Sequence, residues 1–133
     1  MTTEPKKILV IEDEEDVVNF LKMALEDAGY EVGTAYDGEE AWLRIRENKP
    51  DLITLDMIMP NKTGIGLYNE LRHSPEYKDI PIIVVTGVDT TSYGQMSCKE
   101  FLEKRAVRQP EAYLVKPINA EELVKTVRGV LGE

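Results

Sequence analysis

The chain is short of the residues that most often carry soft-metal and nucleophile chemistry. Its 133 residues include one cysteine, Cys98, one histidine, His73, and one tryptophan, Trp42. A lone cysteine excludes an intrachain disulfide and a cysteine-cluster metal site, which suits a reducing compartment; Cys98 reads as a small half-buried residue. Long apolar runs are also missing. The amino terminus, MTTEPKK, is polar, and no stretch approaches a signal-peptide core or a membrane span, so the expected setting is cytoplasmic, with no membrane partner. Positive charge is scarce: sixteen Lys and Arg stand against twenty-five Asp and Glu, a net charge of −9. That balance repels phosphate backbones and anionic lipid, and it argues against direct contact with nucleic acid.

What is present is alternation. With 42% hydrophobic residues the chain can bury one sizeable core, and one domain over 1–133 is expected. The β-rich runs KKILVIE, YEVGTAY, DLITLD, IPIIVVTG and AYLVKP alternate with helical patterns over 14–28, 38–48, 64–73, a long stretch between Thr86 and Lys116, and 120–131. Five strands and five helices in this order predict an α/β fold, a doubly wound five-stranded parallel sheet with helices on both faces. ILVI, LITL and IIVV are continuous apolar runs of the kind that central strands need, because both their faces are covered. Val17, Phe20, Leu21, Ala24, Leu25 and Ala28 form the first helix's apolar stripe, and Gly29 is placed to cap it in the left-handed region. Trp42 should be partly buried on the second helix, and His73 should end the third as an exposed cap.

In an open parallel sheet, ligands bind outside the carboxyl ends of the strands, where the strand order reverses. The polar residues at those ends are Glu12 and Asp13, Asp56, Thr86 and Lys116. Asp56 closes an apolar run, and a bare carboxylate there costs several kcal/mol unless something pairs with it. Two carboxylates about 4 Å apart repel by roughly 4 kcal/mol at an effective dielectric near 20, so three of them require a cation. Hard oxygen ligands with room for water suit Mg2+. Lys116 adds a point charge and Thr86 a hydroxyl, both suited to phosphate oxygens. Each residue alone has a plainer reading, as helix-start acid, turn cap, strand end or exposed lysine; their joint placement carries the weight.

The pieces ILVIEDEEDV, YEVGTAYDGEEA, DLITLDMIMPNKTG, PIIVVTG and AYLVKP, spread from Lys6 to Pro117, resemble a response-regulator receiver domain of two-component signalling. The resemblance implies a flavodoxin-like sheet of order 2-1-3-4-5. It implies Asp56 as phosphoacceptor, Asp13 as a direct Mg2+ ligand, Glu12 as a ligand largely through water, and the backbone carbonyl of Ile58 as a further ligand. Thr86 and Lys116 would contact the phosphoryl group, and Tyr113 would be the switch aromatic that moves with Thr86. The implied donor is a histidine kinase or phosphotransfer protein. The implied output is a face built from the fourth and fifth helices and the fifth strand, binding a downstream protein.

The stretch between Thr86 and Lys116 departs from the family. Its twenty-nine residues are more than usual and lack the common Gly-Ala approach to the last strand. Either a partner-specific surface or an inert insertion fits, and Lys104, Arg105 and Arg108 within it read as a solvated face. Ile58 and Val88, two positions past Asp56 and Thr86, are apolar and β-branched, which suggests a long-lived phosphoryl group. The leading expectation is a stand-alone phosphorylation switch with no output domain, not an enzyme. An aspartyl-phosphate phosphohydrolase would carry a second Asp where Ile58 stands. A flavin module on the same strand order would need amides and hydroxyls where this chain has EDEED.

Overall fold

The computed structural model describes residues 4–57, 64–87 and 108–133. Five strands, β1 (Lys7–Ile11), β2 (Glu31–Ala35), β3 (Leu52–Asp56), β4 (Ile82–Thr86) and β5 (Ala112–Val115), form one parallel sheet of order β2-β1-β3-β4-β5. Four helices are described: α1 (Glu15–Asp27), α2 (Gly38–Glu47), α3 (Gly64–His73) and α4 (Ala120–Leu131). The fourth of the five expected helices falls in 88–107, outside the described residues, as do Ile58, Val88, Cys98, Lys104 and Arg105.

Side chains along a strand point alternately to the two faces, so a strand covered on both must be apolar throughout. Leu9, Ile11, Ile53, Leu55, Ile82 and Val84 pack with Ala41 and Ile45 of α2 and Leu67, Tyr68 and Leu71 of α3. Ile8, Val10, Leu52, Ile83 and Val85 pack on the other face with Leu21 and Leu25 of α1 and Leu123 and Val127 of α4. The edge strand β2 alternates between exposed and half-buried residues up to Ala35.

α1 ends as its glycine predicts. Gly29 has φ +100°, its N–H donates to Glu26 O at 3.0 Å, and the Tyr30 N–H donates to Leu25 O at 3.1 Å, the paired bonds of a left-handed helix stop. One member of the α1 stripe is corrected. Phe20 is 42% exposed, whereas Val18, Leu21 and Leu25 are buried. Phe20 lies roughly 100° around the helix from Leu21 and about 200° from Val18, so it sits on the shoulder of the buried line. Trp42 is half-buried as expected, edge-on to Tyr77 at 5.6 Å, with its Nε1–H donating to Glu70 Oε1. His73 is the exposed last residue of α3, with Nδ1 2.7 Å from Asn69 O.

At the amino ends of the strands sits a network that the helical pattern alone does not announce. Arg72 is an arginine within the apolar stripe of α3, and its side chain is 1% exposed. Nη1 donates to Lys78 O at 2.9 Å and Ile80 O at 3.0 Å, Nη2 donates to Glu111 Oε1 at 2.9 Å and Gln109 O at 3.3 Å, and Nε donates to Tyr68 Oη at 3.2 Å. Glu111 in turn accepts from the Ile82 N–H at 2.6 Å and from Arg108 Nη2 at 2.7 Å. Arg108 is therefore not simply part of a solvated face: it ties Glu111 to Asp79, at 3.1 Å.

Gly129 lies inside α4, and a Cβ added there would meet nothing within 4 Å. Gly129→Ala is expected to raise stability by about 0.5–1 kcal/mol through helix propensity alone. Urea unfolding checks it: an unchanged or lower midpoint contradicts the expectation.

Candidate functional site

Parallel pairing carries every strand's carboxyl end to the same edge of the sheet. Glu12 and Asp13 follow β1 directly, Asp56 is the last residue of β3, Thr86 the last of β4, and Lys116 follows β5. The backbone holds these ends in register: Glu12 N–H donates to Ala35 O at 3.0 Å, and Lys116 N–H donates to Thr86 O at 2.8 Å. Asp56 pairs with Val85 on β4, and Thr86 with Val115 on β5. The Lys116–Pro117 peptide is cis.

The structure brings the three acids together. Glu12, Asp13 and Asp56 each offer a carboxylate oxygen, and these atoms lie within 4.8 Å of one another. Glu12 is 1% exposed and Asp56 6%, while Asp13 is more open to solvent. Lys116 reaches across this group. Its Nζ straddles Glu12, 3.0 Å from Oε1 and 3.1 Å from Oε2, and only Oε2 receives a directed hydrogen bond. It also donates to Glu14 Oε1 at 3.0 Å and stands 3.7 Å from Asp56 Oδ2. Burial on its own pulls the Lys116 ammonium down. Hydrogen bonds to Glu12 and Glu14 and the charge of Asp56 more than reverse this, so its pKa is raised above the ordinary lysine value. A raised folded value means that this ammonium stabilises the fold fully below lysine's unfolded pKa. That contribution is lost only as pH rises through the folded one.

One ammonium against four carboxylates leaves the cluster strongly negative. Three carboxylate oxygens at this spacing, with Glu12 also carrying a buried Oε1 that receives no directed hydrogen bond, fit a small divalent cation. Glu12, Asp13 and Asp56 would hold it. Thr86 is 3% exposed at the same edge. Tyr113 is half-buried on β5, packed against the α2/α3 side of the core, with its hydroxyl donating to Gln109 Oε1 at 3.2 Å.

Glu14 was not among the expected site residues, although the third acid in EDEED is a signal for it. It occupies the N-cap position of α1 without capping it through its side chain, which pairs with Lys116 instead.

A domain with five parallel strands in this order, and with these acids, hydroxyl and lysine at their carboxyl ends, has the architecture of a phosphorylation receiver. The chain belongs to the response regulator receiver domain family, whose model matches residues 8–128. It is 38% identical over 125 residues to the phosphate regulon transcriptional regulatory protein PhoB of Rhizobium meliloti, covering 94% of this chain and 52% of that protein. It is 30% identical over 131 residues to the polar-differentiation response regulator DivK of Brucella anthropi, covering 97% of this chain and 98% of that one. Among solved structures it resembles the chemotaxis protein CheY4 of Vibrio cholerae, with a TM-score of 0.80, 34% identity, and coverage of 95% and 98%. The chain spans about half the length of PhoB and of other curated relatives it matches. Family membership places it with receivers rather than with aspartyl-phosphate phosphohydrolases or flavin modules.

Proposed function

We propose that this receiver accepts a phosphoryl group on Asp56 from the phosphohistidine of a histidine kinase or phosphotransfer protein, and that the modified site switches a protein-binding face. The observation that carries the reading is the meeting of the Glu12, Asp13 and Asp56 carboxylates within 4.8 Å, with Lys116 bridging their rim. When bound, Mg2+ would neutralise charge on the transferring phosphoryl oxygens. Glu12, Asp13 and Asp56 are the residues that would hold it, with the Ile58 carbonyl as the further ligand that family resemblance suggests.

An Asp56 carboxylate oxygen attacks phosphorus in line. The new O–P bond gives an acyl phosphate, the N–P bond breaks, and its electron pair returns to the donor imidazole. Lys116, already 3.7 Å from Asp56 Oδ2, then pairs with a phosphoryl oxygen, and Thr86 donates its hydroxyl to another. Both movements bias a two-state equilibrium in which Tyr113 takes part. We read the protein as a cytoplasmic switch, not an enzyme, whose own surface avoids nucleic acid because of its net charge of −9. Among the described residues no helix is long and apolar enough to cross a membrane. A groove of about 490 Å3 lined by Glu14, Val17, Phe20, Pro117 and Ile118 adjoins Lys116 and offers the donor an approach beside the site.

The test is intact mass after incubation with acetyl phosphate and Mg2+. Wild type should gain one phosphoryl group and Asp56→Asn none. Equal labelling of the two overturns the assignment of Asp56.

A further inference from the structure

Gly64, the first residue of α3, lies against the backbone of the proposed phosphoacceptor. A Cβ built on it would sit 2.2 Å from the Asp56 carbonyl oxygen, 2.4 Å from Met57 Cα and 2.8 Å from Met57 C. All three are main-chain atoms, so no flexible side chain can step aside. The Gly64 N–H also donates to Met57 O at 3.0 Å, which ties the first residue of α3 to the backbone just past β3. Ordinary contact begins near 3.4 Å, so any side chain at 64 demands a shift of about 1 Å somewhere.

The surroundings decide which part gives way. α3 is held to the sheet by Leu67, Tyr68 and Leu71, all fully buried, and at its far end by the bonds from Arg72 to Lys78 O and Ile80 O. The helix resists translation. β3, by contrast, makes its last ladder pair at Asp56, with Val85, so the Asp56–Met57 peptide is held by the final bond of that ladder, with no further pair beyond it. That peptide is the compliant element, and the Asp56 side chain shares its Cα with it.

We infer that Gly64 is a positioning residue for Asp56: the absence of a side chain at 64 sets where the Asp56 carboxylate stands relative to Glu12, Asp13 and Lys116. The inference rests on the reading of Asp56 as phosphoacceptor. Misplacing a reacting group by about 1 Å typically costs about 100-fold in rate, and misplacing a ligand costs about 10-fold or more in metal affinity.

The experiment compares Gly64→Ala with Leu71→Ala, a buried change in the same helix, both in the Gly129→Ala background, which supplies reserve stability. Three readouts are taken: the rate of labelling by acetyl phosphate at saturating Mg2+, the Mg2+ affinity, and the metal-free amide shifts of Asp56 and Met57. Gly64→Ala is expected to slow labelling about 100-fold, weaken Mg2+ binding about 10-fold and move both amides. Leu71→Ala should lower the unfolding midpoint while leaving all three readouts near those of the background. Labelling and Mg2+ binding as good in Gly64→Ala as in Leu71→Ala overturn the inference. Failure of Gly64→Ala to fold even in the stabilised background does so too, because the strain would then not be confined to one peptide. If the background protein itself takes no phosphoryl group on Asp56 and binds no Mg2+, the underlying reading fails and the inference with it.

Discussion

Arg72→Met should cost about 3 kcal/mol or more of folding stability, with a fall in thermal midpoint of roughly 10 °C. Methionine fills most of the volume of arginine's stem but none of its polar contacts. The substitution takes a donor from the Lys78, Ile80 and Gln109 carbonyls, leaving Lys78 O only the 3.5 Å bond from Arg108 Nη1, and removes one partner of Glu111, at an end of the sheet where the guanidinium is 1% exposed. Unsatisfied buried acceptors and a broken buried ion pair are each expensive. Arg108→Met is the contrast. It breaks pairs to Asp79 and Glu111, but its side chain is about half exposed, so a loss of about 1 kcal/mol or less is expected. Urea unfolding of both variants decides the matter, and equal small losses would show that the Arg72 network stabilises no more than a surface pair. The same network bears on alkaline stability. Burial pushes the Tyr68 hydroxyl up, and its hydrogen bond with Arg72 pulls it back down. Because the folded value stays raised, stability is full below tyrosine's unfolded pKa and declines as pH rises through the folded one. Arg72→Met removes the lowering contribution, so the decline should still begin at tyrosine's unfolded pKa but continue to higher pH and become deeper.

Lys116→Ala should make the protein dependent on divalent cation for its stability. In the wild type one ammonium touches both oxygens of Glu12, one of Glu14 and, at 3.7 Å, one of Asp56. Without it, Glu12 is left 1% exposed among carboxylates. A loss of about 2 kcal/mol in metal-free buffer is expected, since the buried charge loses its partner. Lysine and a metal ion compete for the same oxygens, so the variant should bind Mg2+ about 10-fold tighter, equivalent to about 1.4 kcal/mol. Saturating Mg2+ should then raise the variant's thermal midpoint more than the wild type's. The variant should still accept some phosphoryl group on Asp56, yet show little of the amide-shift response seen in phosphorylated wild type, because nothing draws β5 toward the new oxygens. Equal Mg2+ stabilisation of the two proteins would contradict the competition, and matching amide spectra after phosphorylation would contradict the switching role.

The sheet and the placement of Glu12, Asp13, Asp56, Thr86 and Lys116 were legible in the sequence for one physical reason. A parallel strand covered on both faces must be a continuous apolar run, so ILVI, LITL and IIVV announce themselves, and the first polar residue after such a run has to lie at its carboxyl end. Parallel pairing then brings those ends to one edge without further information. Gly29 was readable in the same local way, because a left-handed helix stop favours a residue without a Cβ. The tertiary structure alone decided contacts between residues far apart in the chain. Glu14 meets Lys116 across 102 positions because β1 and β5 end at the same edge, with α1 starting there. Arg72 meets Glu111 across 39 because α3 ends beside the start of β5. Gly64 lies against the Asp56 carbonyl because α3 packs down onto the end of β3. Local pattern sets which face of an element is apolar. Only packing sets which backbone or charge that face finally meets, since that depends on the register and tilt of elements that share no neighbouring sequence.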